Sequence, residues 1–149
     1  MYKRPQAVAY IAGSEQYKSI RGIAEFFSVR GGVLVYTEVY GLPHSTACPS
    51  IFAYHIHEGG KCQGNQEDAF ADALAHYNPS GLPHPCHAGD LPPLLGNYGF
   101  AWSAVFTSRF DIEEIMGRTV IVHSHPDDFK TQPSGDSGSK IACGVIERF

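Results

Sequence analysis

Five of the chain's 8 histidines fall in one stretch, which runs from FAYHIHEGGKC through AHYNPSGLPHPCHAGDLP. They are His55, His57, His76, His84 and His87, and Asp90 follows them closely. A sixth, His123, ends a separate apolar run, TVIVH. His55 and His57 are two apart. On a strand, where side chains alternate between faces, both emerge on one side and could grip one ion. The same pair could be two surface histidines, because H-x-H alone is a weak signal. The wider set is more telling. His76, His84, His87 and Asp90 offer three imidazoles and a carboxylate, a closed four-ligand set that suits zinc. His55, His57 and His123 remain for a second ion. An all-imidazole site with a free position suits copper, which cycles between two oxidation states.

Something must bring these residues together. In residues 33–40 (VLVYTEVY), Val33, Val35, Thr37 and Val39 share one face, and Leu34, Tyr36, Glu38 and Tyr40 the other. That is the period of a strand, not of a helix. Similar runs predict strands at 6–12, 20–29, 51–57, 98–108, 119–123 and 141–146, with an eighth, short one near 91–94. Arg30-Gly31-Gly32 reads as a hairpin turn. EDAFADALAH is locally helical but is allowed a turn or two at most, and 111–117 suits a turn or short helix. Seven or eight strands make an all-β sandwich or barrel. The connectors 58–97 and 124–139 are long for such a fold, and each starts directly after a strand-ending histidine. Long loops in a small β fold are usually functional.

Composition narrows the rest. At 149 residues the size prior gives one domain, 1–149. Sixteen glycines and ten prolines call for many turns, which favours β structure over a helical bundle. The net charge of -4 and the lack of a basic run argue against nucleic-acid binding. No apolar run reaches the ~20 residues that cross a bilayer, so no membrane partner is expected. The opening MYKRPQAVAYIAGSEQ holds only a short apolar run, which reads as a strand rather than a signal sequence. With Met1 in place the expectation is a cytoplasmic protein, a secreted mature form being the other reading. Cys48, Cys62, Cys86 and Cys143 allow three pairings, and spacing does not choose among them. Disulfides are uncommon in reducing compartments, so four free thiols are the plain reading.

Taken together, HIHEGGKC, HYNP, HAGDLP, VIVH followed by PDD, and the closing GSKIACGVI resemble the copper/zinc superoxide dismutases over nearly the whole chain. The resemblance implies an eight-stranded Greek-key β-barrel, in agreement with the strand reading. It implies that His55, His57, His76 and His123 hold copper, that His76, His84, His87 and Asp90 hold zinc, and that His76 is the imidazolate shared between them. Asp127, the first of two acids after Pro126, is similar to the family's carboxylate that hydrogen-bonds one ligand histidine on each metal and so fixes its orientation and tautomer. Cys62 and Cys143 are similar to the family's intrasubunit disulfide. The implied activity is dismutation of the superoxide anion to dioxygen and hydrogen peroxide. Copper would be alternately reduced and reoxidised, His76 would gain and give a proton, and zinc would hold the loop. Either a homodimer or a monomer accords with the resemblance, and no copper-loading partner is identified.

The chain departs from the family pattern in places. Lys140 stands where an arginine is usual, three residues before the last-strand cysteine. It keeps a charge that would guide superoxide and act in catalysis, but it loses the planar fork of donors. The 124–139 loop is shorter than in the animal enzymes, with Lys130 its only internal cation, so electrostatic steering is expected to be weak. Leu74-Ala75 precede His76 where small or turn-forming residues are usual. Cys48 and Cys86 are additional, either as unpaired thiols or as a second disulfide clamping the loop. His44 and His125 are expected at the surface, Glu113 and Glu114 on a solvated turn, Arg148-Phe149 as a tail, and Trp102 in the core or an interface. Two other functional classes stay open. One is a metal buffer or carrier of the same fold with little dismutase activity. The other is a zinc hydrolase, which the closed zinc set disfavours because it leaves no position for an activated water.

Overall fold

A computed structural model describes residues 4–47 and 50–149. Eight strands, β1 (Ala7–Gly13), β2 (Arg21–Val29), β3 (Gly32–Tyr40), β4 (Ser50–His57), β5 (Asp90–Gly96), β6 (Ala101–Thr107), β7 (Thr119–His123) and β8 (Lys140–Arg148), pair antiparallel in the order β5-β4-β7-β8-β1-β2-β3-β6. The end strands β5 and β6 lie against each other, so the sheet curls into a nearly closed barrel. The connections β3 to β4 and β6 to β7 each pass to a strand that is not a neighbour, which is the Greek-key trait. The expected all-β barrel is what the chain forms. No helix among the described residues is long and apolar enough to cross a membrane.

Local chemistry accounts for the turns. β2 and β3 join through Arg30 and Gly31, with Val29 opposite Gly32. Gly31 has φ +87, a backbone conformation that L side chains rarely adopt. The expected short helix is α1 (Ile112–Ile115), opened by a capping box in which the Asp111 backbone N–H donates to Glu114 Oε2 (2.6 Å). EDAFADALAH yields a single 3-10 turn, Ala71–Ala73.

Some expectations need correction. The eighth strand is longer than 91–94 suggested, and it tolerates Pro92 and Pro93 because, among the described residues, its ladder to β4 is the only one it makes. A missing N–H costs little on an edge. The loop that was read as 58–97 therefore ends where β5 begins, at Asp90. Trp102 lies on the outer face of β6, more than half exposed, edge-on to Tyr36 with ring centroids 5.8 Å apart, so it is not core. The expected tail is paired instead: Arg148 lies opposite Ala7, and Phe149 N–H donates to Gln6 O (3.1 Å).

The burial of β4 and β7 sets up everything that follows. Phe52, Tyr54 and Ile56 of β4, with Val120 and Val122 of β7, belong to the barrel core. The alternate residues, Ala53, His55 and His57 with Thr119, Ile121 and His123, face away from it, yet they are buried too. An outward face of a barrel is covered only if something lies over it. Here the 58–89 and 124–139 loops do so. A second small apolar cluster of Phe70, Ala73, Ile121 and Cys143, with Cys62 packed against it, fastens the first loop down. Burying a side chain the size of Phe70 stabilises by about 1.5–3 kcal/mol.

Candidate metal centre

His55 and His57 project from the covered face of β4, and His123 from the end of the neighbouring β7. His76 comes from the loop. A one-residue bridge sets it beside β4: His76 pairs with His57, and Tyr77 N–H donates to Ile56 O (2.8 Å). The next two histidines sit on a turn that Gly89 returns to β4, where Ile56 N–H donates to Gly89 O (2.8 Å), and Asp90 opens β5. The result is two groups of four with one residue in common. Ligand atoms of His55, His57, His76 and His123 lie within 4.8 Å of one another, as do those of His76, His84, His87 and Asp90.

For four of the rings, acceptors within reach select the nitrogen that carries the proton. His57 Nδ1–H donates to Leu74 O (2.7 Å) and His123 Nδ1–H reaches Gly138 O at 3.4 Å. Their Nε2 atoms, left as lone pairs, face each other at 3.2 Å. His55 has the opposite arrangement, with Nε2–H donating to Asp127 Oδ2 (2.8 Å) and Nδ1 buried without a partner. His84 Nε2–H donates to Asp127 Oδ1 (2.8 Å), leaving a bare Nδ1 that faces Asp90 Oδ2 at 3.0 Å without a hydrogen bond, and His76 Nε2 is buried without a partner. Asp127 thus holds one histidine of each group.

Three orphaned buried nitrogens and two facing lone pairs would be costly in a site that holds no cation. The distances fit one. Four ligands at zinc's bond length in a tetrahedron stand about 3.3 Å apart. His76 Nδ1 to His87 Nδ1 is 3.3 Å, and the Asp90 oxygens lie 2.9, 3.0 and 3.4 Å from the Nδ1 atoms of His76, His84 and His87. The all-imidazole group suits copper by ligand type.

Burial keeps these ligands ready. Desolvation, reinforced by the neighbouring imidazoles, lowers His55 to about 2, lowers His123 to about 4 and holds His57 well below its ordinary value. At neutral pH all three are therefore neutral and offer lone pairs. Burial alone would raise Asp90, but its hydrogen bond to His76 and the nearby His84 and His87 rings outweigh this and lower it.

Other sequence expectations can be located too. Cys62 and Cys143 form a disulfide across 81 residues, tying the first loop to β8. Cys86 is exposed and has no disulfide partner among the described residues, and Cys48 lies outside them. His44 and His125 are exposed and stand outside both groups. Glu113 pairs with Arg148 (2.9 Å) at the surface. Lys140 lies opposite His123 across the β7–β8 ladder and ends on Asp68.

Several supporting contacts carry no sequence signal. Gln132 reaches from the second loop to both backbone groups of His84: its Oε1 accepts from N–H (2.9 Å) and its Nε2 donates to O (2.7 Å). Arg109 donates to Pro85 O (3.1 Å) and His87 O (3.2 Å). Gly135, at φ +73, packs so closely that an added Cβ would stand 2.1 Å from Asp127 Oδ1. An amide or a guanidinium that serves backbone carbonyls looks, in sequence, like any other surface residue. Gly135 was visible only as one more loop glycine.

A Greek-key barrel with two loops closing a pair of histidine-rich sites over its outer face defines a two-metal β-barrel protein. The family model described as copper/zinc superoxide dismutase matches residues 20–146. A superoxide dismutase [Cu-Zn] of Aquifex aeolicus is 34% identical over 140 residues, covering 84% of this chain and 78% of the relative. One from Caulobacter vibrioides is 34% identical over 131 residues, with 78% and 72% covered. The solved Cu/Zn superoxide dismutase from Brucella abortus superposes with a TM-score of 0.80 at 24% identity, covering 95% of this chain and all of that one, a likeness of fold. The chain belongs to the copper/zinc superoxide dismutase family.

Proposed function

We propose that this protein disproportionates superoxide to dioxygen and hydrogen peroxide, with copper held by His55, His57, His76 and His123, and zinc held by His76, His84, His87 and Asp90. The observation that carries the assignment is His76, whose Nδ1 faces Asp90 and His87 while its Nε2 is buried without a partner on the side of the other group. When bound, copper supplies a one-electron couple that superoxide can reduce and reoxidise, and zinc supplies a fixed charge.

The chain's own residues do the positioning. Leu74 O and Gly138 O keep protons on the Nδ1 atoms of His57 and His123, so their Nε2 atoms point into the site. Asp127 turns His55 and His84 the other way. Such partners set ring orientation and ligand basicity. His76 Nε2 is the ligand nitrogen suited to hold a proton and pass it to departing peroxide, because Nδ1 stays anchored in the Asp90 group. Lys140, His57, His76 and His123 all line a cleft of about 1500 Å³, through which the anion reaches the histidines. Family membership accords with a homodimer or a monomer, and sedimentation velocity over a range of concentrations decides between them.

Loading the protein with copper and zinc, determining both by elemental analysis, and following superoxide with cytochrome c tests the function. The expected result is one of each ion per chain and suppressed cytochrome reduction. Full metal content without suppression would make the protein a metal store instead.

A further inference from the structure

The loop between Cys62 and His76 does more than deliver a histidine. Asn65 Oδ1 accepts from the backbone N–H groups of Glu67 (2.9 Å) and Asp68 (3.0 Å), and Asp68 Oδ1 accepts from Phe70 N–H (3.0 Å). Phe70 is itself buried in the small cluster beside the disulfide. Asp68 is thus a carboxylate held rigidly, with Oδ2 free to meet a partner. That partner is Lys140. Its Nζ donates to Asp68 Oδ2 (2.6 Å) and to Phe70 O (3.2 Å), and its side chain is only 15% exposed. Lys140 also sits directly across the ladder from His123.

The charges around it are one-sided. The charged side chains lining the cleft, among the described residues, are Glu15, Glu58, Glu67, Asp68 and Lys140, so a single cation faces four carboxylates. A cleft focuses the field of the charges on its walls, and an anion entering this one meets a lysine already engaged.

We propose that Asp68 is a positioning residue for anion capture: it ties Lys140 to the loop beside His123 and cancels the charge that the lysine would otherwise offer to superoxide. The inference rests on the dismutase reading. It leaves the rate of this protein flat or rising with salt, where a free guiding cation would make it fall.

Three readouts on the wild type, Asp68→Asn and Asp68→Glu test it. The first is the second-order rate with superoxide from ionic strength of about 10 mM, where screening acts only beyond about 30 Å, up to about 0.5 M. The second is the affinity of the copper-loaded protein for azide, followed by absorbance. The third is the acylation rate of the Lys140 amine in metal-free protein, followed by mass spectrometry. The wild-type rate should stay flat or rise with salt. Asp68→Asn should raise the rate and tighten azide by about threefold at low salt, the gain disappearing at high salt. It should also speed acylation, and Asp68→Glu should restore wild-type behaviour in all three. A role in folding alone would not give a gain that salt removes. Asp68→Asn matching the wild type in azide affinity or acylation, or a wild-type rate falling steeply with salt, overturns the proposal. If the loaded wild type lacks dismutase activity while azide and acylation respond as described, the tie stands and the dismutase reading fails.

Discussion

The two groups that share His76 are built from different material. His55, His57 and His123 stand on β4 and β7, adjacent strands of the barrel, and their spacing is set by the ladder. His84 and His87 stand on a loop, and only Asp90 has a strand beneath it. The strand-borne group is therefore positioned by the fold itself. The loop-borne group is positioned by contacts laid over the loop: Asp127 and Gln132 on His84, and Arg109 on the carbonyls of Pro85 and His87. The difference teaches where each side is vulnerable. The strand-borne group should fail when its rings gain charge, and the loop-borne group when its fastenings are cut.

His76 is the point at which both fail together. His76→Ala should lower the dismutase rate by more than about 100-fold, the usual worth of a positioned proton donor, and should weaken both metals. Chelator competition and a superoxide assay check it. Retained tight zinc would place His76 in one group only.

Acid separates the sides. In metal-free protein His55, His57 and His123 are lowered by burial, so the unfolded chain takes up protons first as pH drops. Their contribution to stability is fully present above about pH 6.5 and is lost as pH falls toward the folded values of about 4 for His123 and about 2 for His55. Urea midpoints at about pH 7 and about pH 5 should differ by on the order of 2 kcal/mol for each such histidine. No shift between the two would mean that these rings are not buried neutral.

Cutting fastenings should act on zinc first. Asp127→Asn leaves one acceptor where two ring N–H groups need them, and should weaken zinc by about 10–100-fold, with a smaller loss for copper, whose other histidines keep their own acceptors. Gln132→Ala should weaken zinc by about tenfold through the loss of two hydrogen bonds, and leave copper unchanged. Titration of each ion against a competing chelator measures both. Equal losses of copper and zinc in Gln132→Ala would erase the distinction.

The strand-borne side was also the more legible in sequence. Period-two alternation points to β3 and short apolar runs to β4 and β7, and H-x-H on a strand puts two rings on one face. Alternation could not say that this face would be covered, since a covered outer face reads as core. That explains why His55, Ile121 and His123 are buried outside the barrel. The sequence expectation of 91–94 already spans Pro92 and Pro93, which an edge strand tolerates, but it misses the ends of β5 at Asp90 and at Leu95 and Gly96. Trp102 was read as core or interface on residue type alone. On the loop-borne side, His84, His87 and Asp90 stood out by type, whereas the residues that hold them did not. Asp68 escaped for the same reason. It is one acid among several in a polar loop until the fold brings it to Lys140.

Anomalous diffraction at the copper and zinc edges, on crystals of the loaded protein, tests the shared imidazole directly. The account predicts two separate peaks, copper against Nε2 and zinc against Nδ1 of the same His76 ring. A single peak, or two peaks with His76 bound to only one of them, would contradict it.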